Sequence, residues 1–126
     1  ALPSFLITAR TDGAPVLVGA CGLARRASGR VELGYWIARA HWGRGYATEA
    51  GRALVDIATT LKLGALDASH FIDNPASGRV LEKLGFTATG LFAPRHSCAR
   101  GGDAPSRLMN LQLGANVLPD AAPLAA

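Results

Sequence analysis

Cysteine is scarce in this chain, and the little there is forms no pattern. Cys21 and Cys98 lie far apart in sequence, which excludes a disulfide framework and points to a reduced, cytoplasmic compartment. No apolar run approaches the roughly 20 residues needed to cross a bilayer, so no membrane partner is expected. The opening, Ala1-Leu2-Pro3, has no basic stretch ahead of an apolar one, as a secretory signal requires. His41, His70 and His96 share no ligand spacing, and the cysteines form no CxxC pair. Both facts argue against a metal site or a thiol nucleophile. Acidic residues are the minority, nine against 13 Lys and Arg, for a formal charge of +4. That balance suits an anionic ligand. It also suits nucleic acid, but only Arg25 and Arg26 are adjacent and no base-stacking module accompanies them. A solvated basic surface explains the charge more simply. What remains, 126 residues of which 49% are hydrophobic, is enough for one domain with a core.

Phe5 to Ala9 and Val16 to Ala24 are rich in branched and small apolar residues, and Thr11-Asp12-Gly13-Ala14-Pro15 separates them as a hairpin loop. Ala27-Ser28-Gly29-Arg30 is a second turn, leading to a strand over Val31 to Ala38. Connections this short make the first three strands antiparallel. Apolar positions at Ala50, Ala53, Leu54, Ile57, Ala58 and Leu61 predict a helix from Thr48 to Leu63, with Gly64 as its stop. Ala65 to Phe71 is then a strand reached through a helix, consistent with parallel pairing to the strand before it. Asn74 caps a helix starting at Pro75 and ending at Gly85. Strands starting at Phe86 to Thr89 and over Arg107 to Leu113 follow, separated by a loop rich in Gly, Pro and Arg. The domain is expected over residues 1–116, with an irregular tail over 117–126. Opening on a strand without an initiator Met, the sequence reads as a piece, or a processed form, of a longer protein.

Trp42-Gly43-Arg44-Gly45-Tyr46-Ala47-Thr48-Glu49-Ala50 is the most informative segment. Small residues at 43, 45 and 47 let backbone approach a ligand, and they stand where a helix begins. The first amides of a helix have no intrahelical acceptor and lie at the positive end of its dipole, an arrangement that binds phosphate. A second segment, Asn74-Pro75-Ala76-Ser77 followed by Val80-Leu81-Glu82-Lys83-Leu84-Gly85-Phe86, stands at the next helix start. Together they point to an enzyme holding a pyrophosphate-bearing cofactor.

On these segments and on Glu32-Leu33-Gly34-Tyr35-Trp36, residues 31–86 resemble the GNAT superfamily of acyl-CoA-dependent N-acetyltransferases. The likeness is greatest to the branch typified by ribosomal-protein alanine acetyltransferases (RimJ/RimL-like). The family's pyrophosphate signature, Gln/Arg-x-x-Gly-x-Gly/Ala, maps onto Trp42 to Ala47, with Trp42 at the first position. The resemblance implies an α/β (α+β) fold with a mixed, mostly antiparallel central sheet flanked by helices. That sheet is splayed between the family's fourth and fifth strands, here Val31–Ala38 and Ala65–Phe71. Relative to the family, an N-terminal strand and two helices, part of the acceptor-binding wall, are absent from this sequence.

Acetyl transfer to an amine needs a neutral amine placed close to the carbonyl, a donor for the developing oxyanion and a route for the thiolate to leave. The resemblance implies that acetyl-CoA is the co-substrate, with no metal. Its pantetheine would insert along Trp36, Ile37, Ala38 and Arg39, and its pyrophosphate would meet Gly43, Arg44, Gly45, Tyr46, Ala47 and Thr48. Arg44 reads equally as a solvent-facing side chain. Glu32 is the candidate general base, through water, or else a Glu on a polar strand face. Many family members carry a Tyr where Leu81 stands, so protonation of the thiolate falls elsewhere, with Ser77 as the candidate. A plain first-turn Ser is the other reading of that residue. Asn74 bonds pantetheine, caps its helix, or does both. Lys83 and Arg79 reach CoA phosphates or simply face water. Trp36 and Trp42 pack in the core or line the cleft.

The acceptor implied is a primary amine, a protein N-terminus or a small molecule, which attacks the acetyl group of acetyl-CoA directly, without a covalent enzyme intermediate. A non-catalytic acyl-CoA-binding or regulatory module of the same fold is the alternative. A sheet edge at Phe5 would favour pairing with a second copy as a homodimer. A dinucleotide-binding reading, from Gly43-x-Gly45-x-x-Thr48 and Asp67, is disfavoured because hairpins rather than a βαβ unit precede the glycines.

Overall fold

A computed structural model describes residues 2–114; the tail expected over 117–126 lies outside the described residues. The strands are β1 (Ser4–Ala9), β2 (Val16–Arg25), β3 (Val31–Ile37), β4 (Ala65–Phe71), β5 (Thr87–Ser97) and β6 (Gly102–Gln112). They form one sheet in the order β1-β2-β3-β4-β6-β5. Only the β3/β4 pair is parallel. Helices α1 (Tyr46–Thr60) and α2 (Pro75–Lys83) follow β3 and β4 respectively. The mixed, mostly antiparallel sheet with flanking helices is the fold that the motifs imply.

Alternation along the strands sends every second side chain under the helices. Leu23, Leu33, Leu66 and Met109 from the sheet meet Leu54 and Ala58 of α1, Leu81 of α2 and Phe86 just beyond it. Each is at most 5% exposed, so this is the core. The helices touch where Gly51 lets Leu84 come close: a Cβ at 51 would lie 2.4 Å from Leu84 Cδ1.

The two largest differences from the expected elements lie at the end of α1 and after α2. α1 ends at Thr60 rather than Leu63, because Lys62 already adopts a positive φ of 59°. That turn lets the Leu63 amide donate back to Ala58 O, closing the helix before Gly64 is reached. The segment expected to be a Gly/Pro/Arg-rich loop is mostly strand, since β5 and β6 form one long hairpin. Pro94 and Pro105 face each other in register. β5 is an edge strand, and toward β4 Pro105 offers its carbonyl, which accepts from the Ile72 amide at 3.2 Å.

Candidate active site

The sheet divides at its centre. β3 and β4 share a single paired position, Glu32 with Asp67. Beyond it each strand keeps its outer neighbour: β3 stays on β2 through Ile37 opposite Gly19, and β4 stays on β6 through Phe71 opposite Ser106. The Ala38 amide donates to Val18 O at 2.7 Å, so the chain still follows β2 one residue past the strand. A slot therefore opens between the ends of β3 and β4, where the splay was expected.

At the mouth of that slot a single 3-10 turn, Arg39–His41, leads into the loop before α1. Gly43 and Gly45 have φ of 76° and 82°, and an added Cβ at either would meet nothing within 4 Å. Gly45 occupies the N-cap position of α1, and no side chain caps the helix. The Glu49 amide makes the first helical bond, to Gly45 O at 3.0 Å. The amides of Tyr46, Ala47 and Thr48 precede it and point out of the helix end. Arg44 is exposed beside them. Among the described residues, the buried side-chain nitrogen without a partner is His41 Nδ1, in the turn feeding this loop. An uncapped helix start under open space fits a diphosphate.

Trp36 and Trp42 are 55% and 61% exposed, which removes the reading that they pack in the core. Instead the Trp42 indole donates to Ile37 O at 2.7 Å, and the Arg39 guanidinium stacks 5.4 Å from its ring centre. Trp42 thus ties the loop to the rim of the slot.

On the helix side the slot is bridged. Tyr35 of β3 and Ser77 of α2 bring their hydroxyl oxygens to 2.8 Å. Burial pushes the Tyr35 phenol up from its ordinary value, against a smaller opposing effect of the Ser77 bond. Asn74 Oδ1 accepts from the Ser77 amide at 3.3 Å, so it does cap α2. Gly78 passes close to the His70 ring of β4; a Cβ there would lie 2.9 Å from Nε2. Leu81 is 1% exposed in the core. Lys83 and Arg79 are exposed, and Lys83 closes the end of α2 remote from Ser77. The helix separates those two residues by about 9 Å along its axis.

Glu32 lies on the opposite, open face, at the closed end of the slot. It does not stand free. Arg95 donates to it through Nη1 at 3.4 Å and lies with Nη2 3.0 Å from its other oxygen, and Arg26 pairs with the same carboxylate. Glu32 is thus the hub of an ion-pair network on the open face. Asp67, across the single rung, is paired with Arg30 and accepts from Asn110 at 3.0 Å. The Arg30 hydrogen bond holds the Asp67 carboxyl below the usual range, outweighing its partial burial. A depressed carboxylate value adds stability above about pH 4 that is lost as pH falls through the folded value. Asp67→Asn is expected to flatten the acid limb of a stability-versus-pH curve, read by thermal melting from pH 6 to 2.5.

Tyr35 and Arg95 are the residues that motif reading missed. Tyr35 shares the parity of Val31 and Leu33, both buried, and that parity placed it under α2. Arg95 had no comparable signal, because its strand read as a loop. The same hairpin brings Cys98 Sγ to 3.7 Å from His96 Nε2, and His96 Nδ1 to 3.6 Å from Asp103, both loose and exposed contacts.

Residues 2–87 match the acetyltransferase (GNAT) domain family, and the chain belongs to it. It is 37% identical over 79 residues to the uncharacterised N-acetyltransferase p20 of Bacillus licheniformis, covering 60% of this chain and 44% of that protein. It is 39% identical over 64 residues to the uncharacterised N-acetyltransferase YoaA of Bacillus subtilis (strain 168), covering 50% and 36%. The chain thus spans less than half the length of these curated relatives. Among solved structures it is similar to yncA from Salmonella typhimurium with its cofactor acetyl-CoA. That match has a TM-score of 0.69 and 27% identity, over 84% of this chain and 64% of the other. It is also similar to the acetyltransferase from Agrobacterium tumefaciens str. C58, with a TM-score of 0.68 and 28% identity, over 88% and 61%.

Proposed function

We propose that this chain binds acetyl-CoA and transfers its acetyl group to a primary amine, a peptide N-terminus or a small molecule, by direct attack. The motifs favour the RimJ/RimL-like branch. The observation carrying the reading is the conjunction of the β3/β4 slot with an uncapped, glycine-led helix start at its mouth. Acetyl-CoA supplies an acetyl group activated as a thioester. The amides of residues 43–48 hold the diphosphate, and the β3 edge at Trp36 to Arg39 holds the pantetheine. The helix side of the slot is bridged by the Tyr35–Ser77 contact, so the amine enters from the open face. Its nitrogen bonds to the acetyl carbon as the carbon–sulfur bond breaks, with the electron pair going to sulfur. Ser77 gives its proton to that sulfur and is resupplied by Tyr35, which burial keeps protonated and which regains a proton from solvent before the next turnover. The surplus proton of the amine goes to solvent at the open face. Glu32 serves there as a positioning residue that fixes Arg26 and Arg95.

Tyr35→Phe and Ser77→Ala are each expected to lower kcat about 100-fold, at the low end for a proton donor, with little change in KM for acetyl-CoA. The loss should shrink above about pH 9, where a thiolate leaves without help. Thiol release measured from pH 6.5 to 9.5 checks this; a loss independent of pH would remove both residues from proton transfer. Saturable acetyl-CoA binding with no turnover on any amine would instead make the chain a non-catalytic acyl-CoA-binding module.

A further inference from the structure

The open face of the slot is cationic, and the three carboxylates on that face are each paired with arginine. Glu32 is held by Arg26 and Arg95, Asp67 by Arg30, and Asp73, just past β4, by Arg100. Arg100 also lies over the Phe71 ring, 4.5 Å from its centre, at the end of β4. The four guanidiniums thus face three carboxylates, an excess of one positive charge at the acceptor entrance. A polyamine entering here finds no unpaired acid among the described residues of this face.

Arg95 is the most sheltered of the four. Its side chain is 27% exposed, against 44% for Arg26, 60% for Arg30 and 38% for Arg100. It starts on β5, yet reaches Glu32 on β3, with β6 and β4 between those strands in the sheet. The far half of the β5–β6 hairpin therefore leans over the open face and delivers a guanidinium to the slot. Glu32 engages Nη1 and Nη2 of Arg95 and one nitrogen of Arg26. A guanidinium has five N–H donors, so both arginines keep donors beyond this contact. Glu32 and Gly34 line a shallow groove of about 470 Å³ running from β3 toward Phe5 and Leu6 of β1.

We propose that the acceptor amine carries a carboxylate, which docks on Arg95 and Arg26 beside Glu32 and so places the amine over the slot. This rests on the acetyltransferase reading and narrows its substrate class. Planar guanidiniums match carboxylates bidentately, and Glu32 pre-orients both of them. The carboxylate comes either from a free amino acid or from the second residue of an acidic peptide start.

The test compares kcat/KM, corrected for the neutral fraction of each amine, in matched pairs. L-Alanine and β-alanine are set against their carboxamides, a peptide beginning Ala-Asp against one beginning Ala-Asn, and spermidine is the cationic arm. At least one carboxylate member is expected to exceed its partner by about 10-fold or more, the scale of a charged hydrogen bond. Which pair shows it identifies the source. In Arg95→Gln that ratio should fall toward one. Arg26→Gln, altering a more exposed side chain, should lower it in the same direction and serves if the first variant does not fold. Turnover with ratios at or below one in the native chain, or with spermidine preferred, overturns the inference alone. Acetyl-CoA binding without turnover of any amine overturns the underlying activity as well.

Discussion

Gly45→Asp is expected to weaken acetyl-CoA binding at least about 100-fold while leaving the chain folded. Gly45 has a φ of 82°, and a Cβ there projects into open space rather than into protein. The cost to the folded state is then the backbone strain of a left-handed residue, about 1 kcal/mol for Asp, which tolerates that region better than most residues. Binding suffers by electrostatics. A carboxylate about 5 Å from a doubly charged diphosphate, at an effective dielectric near 40, costs about 3 kcal/mol. That is about 100-fold in affinity. Gly45→Ala adds the Cβ without the charge and should cost about 10-fold. Calorimetric titration with acetyl-CoA, paired with a thermal melt, separates the two contributions. An Asp variant that binds like the native chain would mean that the diphosphate lies elsewhere.

Gly19→Val acts from the opposite direction, through the protein itself. Gly19 faces Ile37 across the β2/β3 ladder, and a Cβ there would lie 2.1 Å from Trp36 O and 3.1 Å from Ile37 Cα. Those neighbours are backbone atoms and have no rotamer to retreat into. β3 must part from β2 or shift toward β4, into the slot. The expected cost is about 3 kcal/mol of stability, the upper end for overpacking, together with loss of acetyl-CoA binding. Gly34→Ala is the control on the same ladder: its added Cβ would meet nothing within 4 Å, and its φ is not positive. Urea unfolding of both variants reads the difference; equal midpoints would show that β3 yields easily.

The parts of the site carried by local sequence were legible, and those made by long-range contact were not. Glycines at 43 and 45 before an apolar helical pattern announce a ligand-binding helix start, because backbone conformation is encoded where it occurs. Asn74-Pro75 likewise names its own cap. Glu32 shows the limit. Its place on a strand could be read from alternation, but its partners, Arg26 and Arg95, lie six and 63 residues away. Arg95 was hidden further, since Gly90, Pro94 and Pro105 made an edge hairpin resemble a loop. The slot itself has no local signature either: it is a missing ladder, visible only once the neighbours of β3 and β4 are known.

The single rung between Glu32 and Asp67 makes the sheet two blades, β1-β2-β3 and β4-β6-β5, joined at one point. α1 rests on the first blade and α2 on the second, and the helices meet through the gap that Gly51 leaves for Leu84. The tilt of one blade against the other is held about that pivot by the contact between helices, together with the Tyr35–Ser77 and Glu32–Arg95 bridges. A glycine with no chemistry of its own is thereby one of the adjusting screws of the aperture.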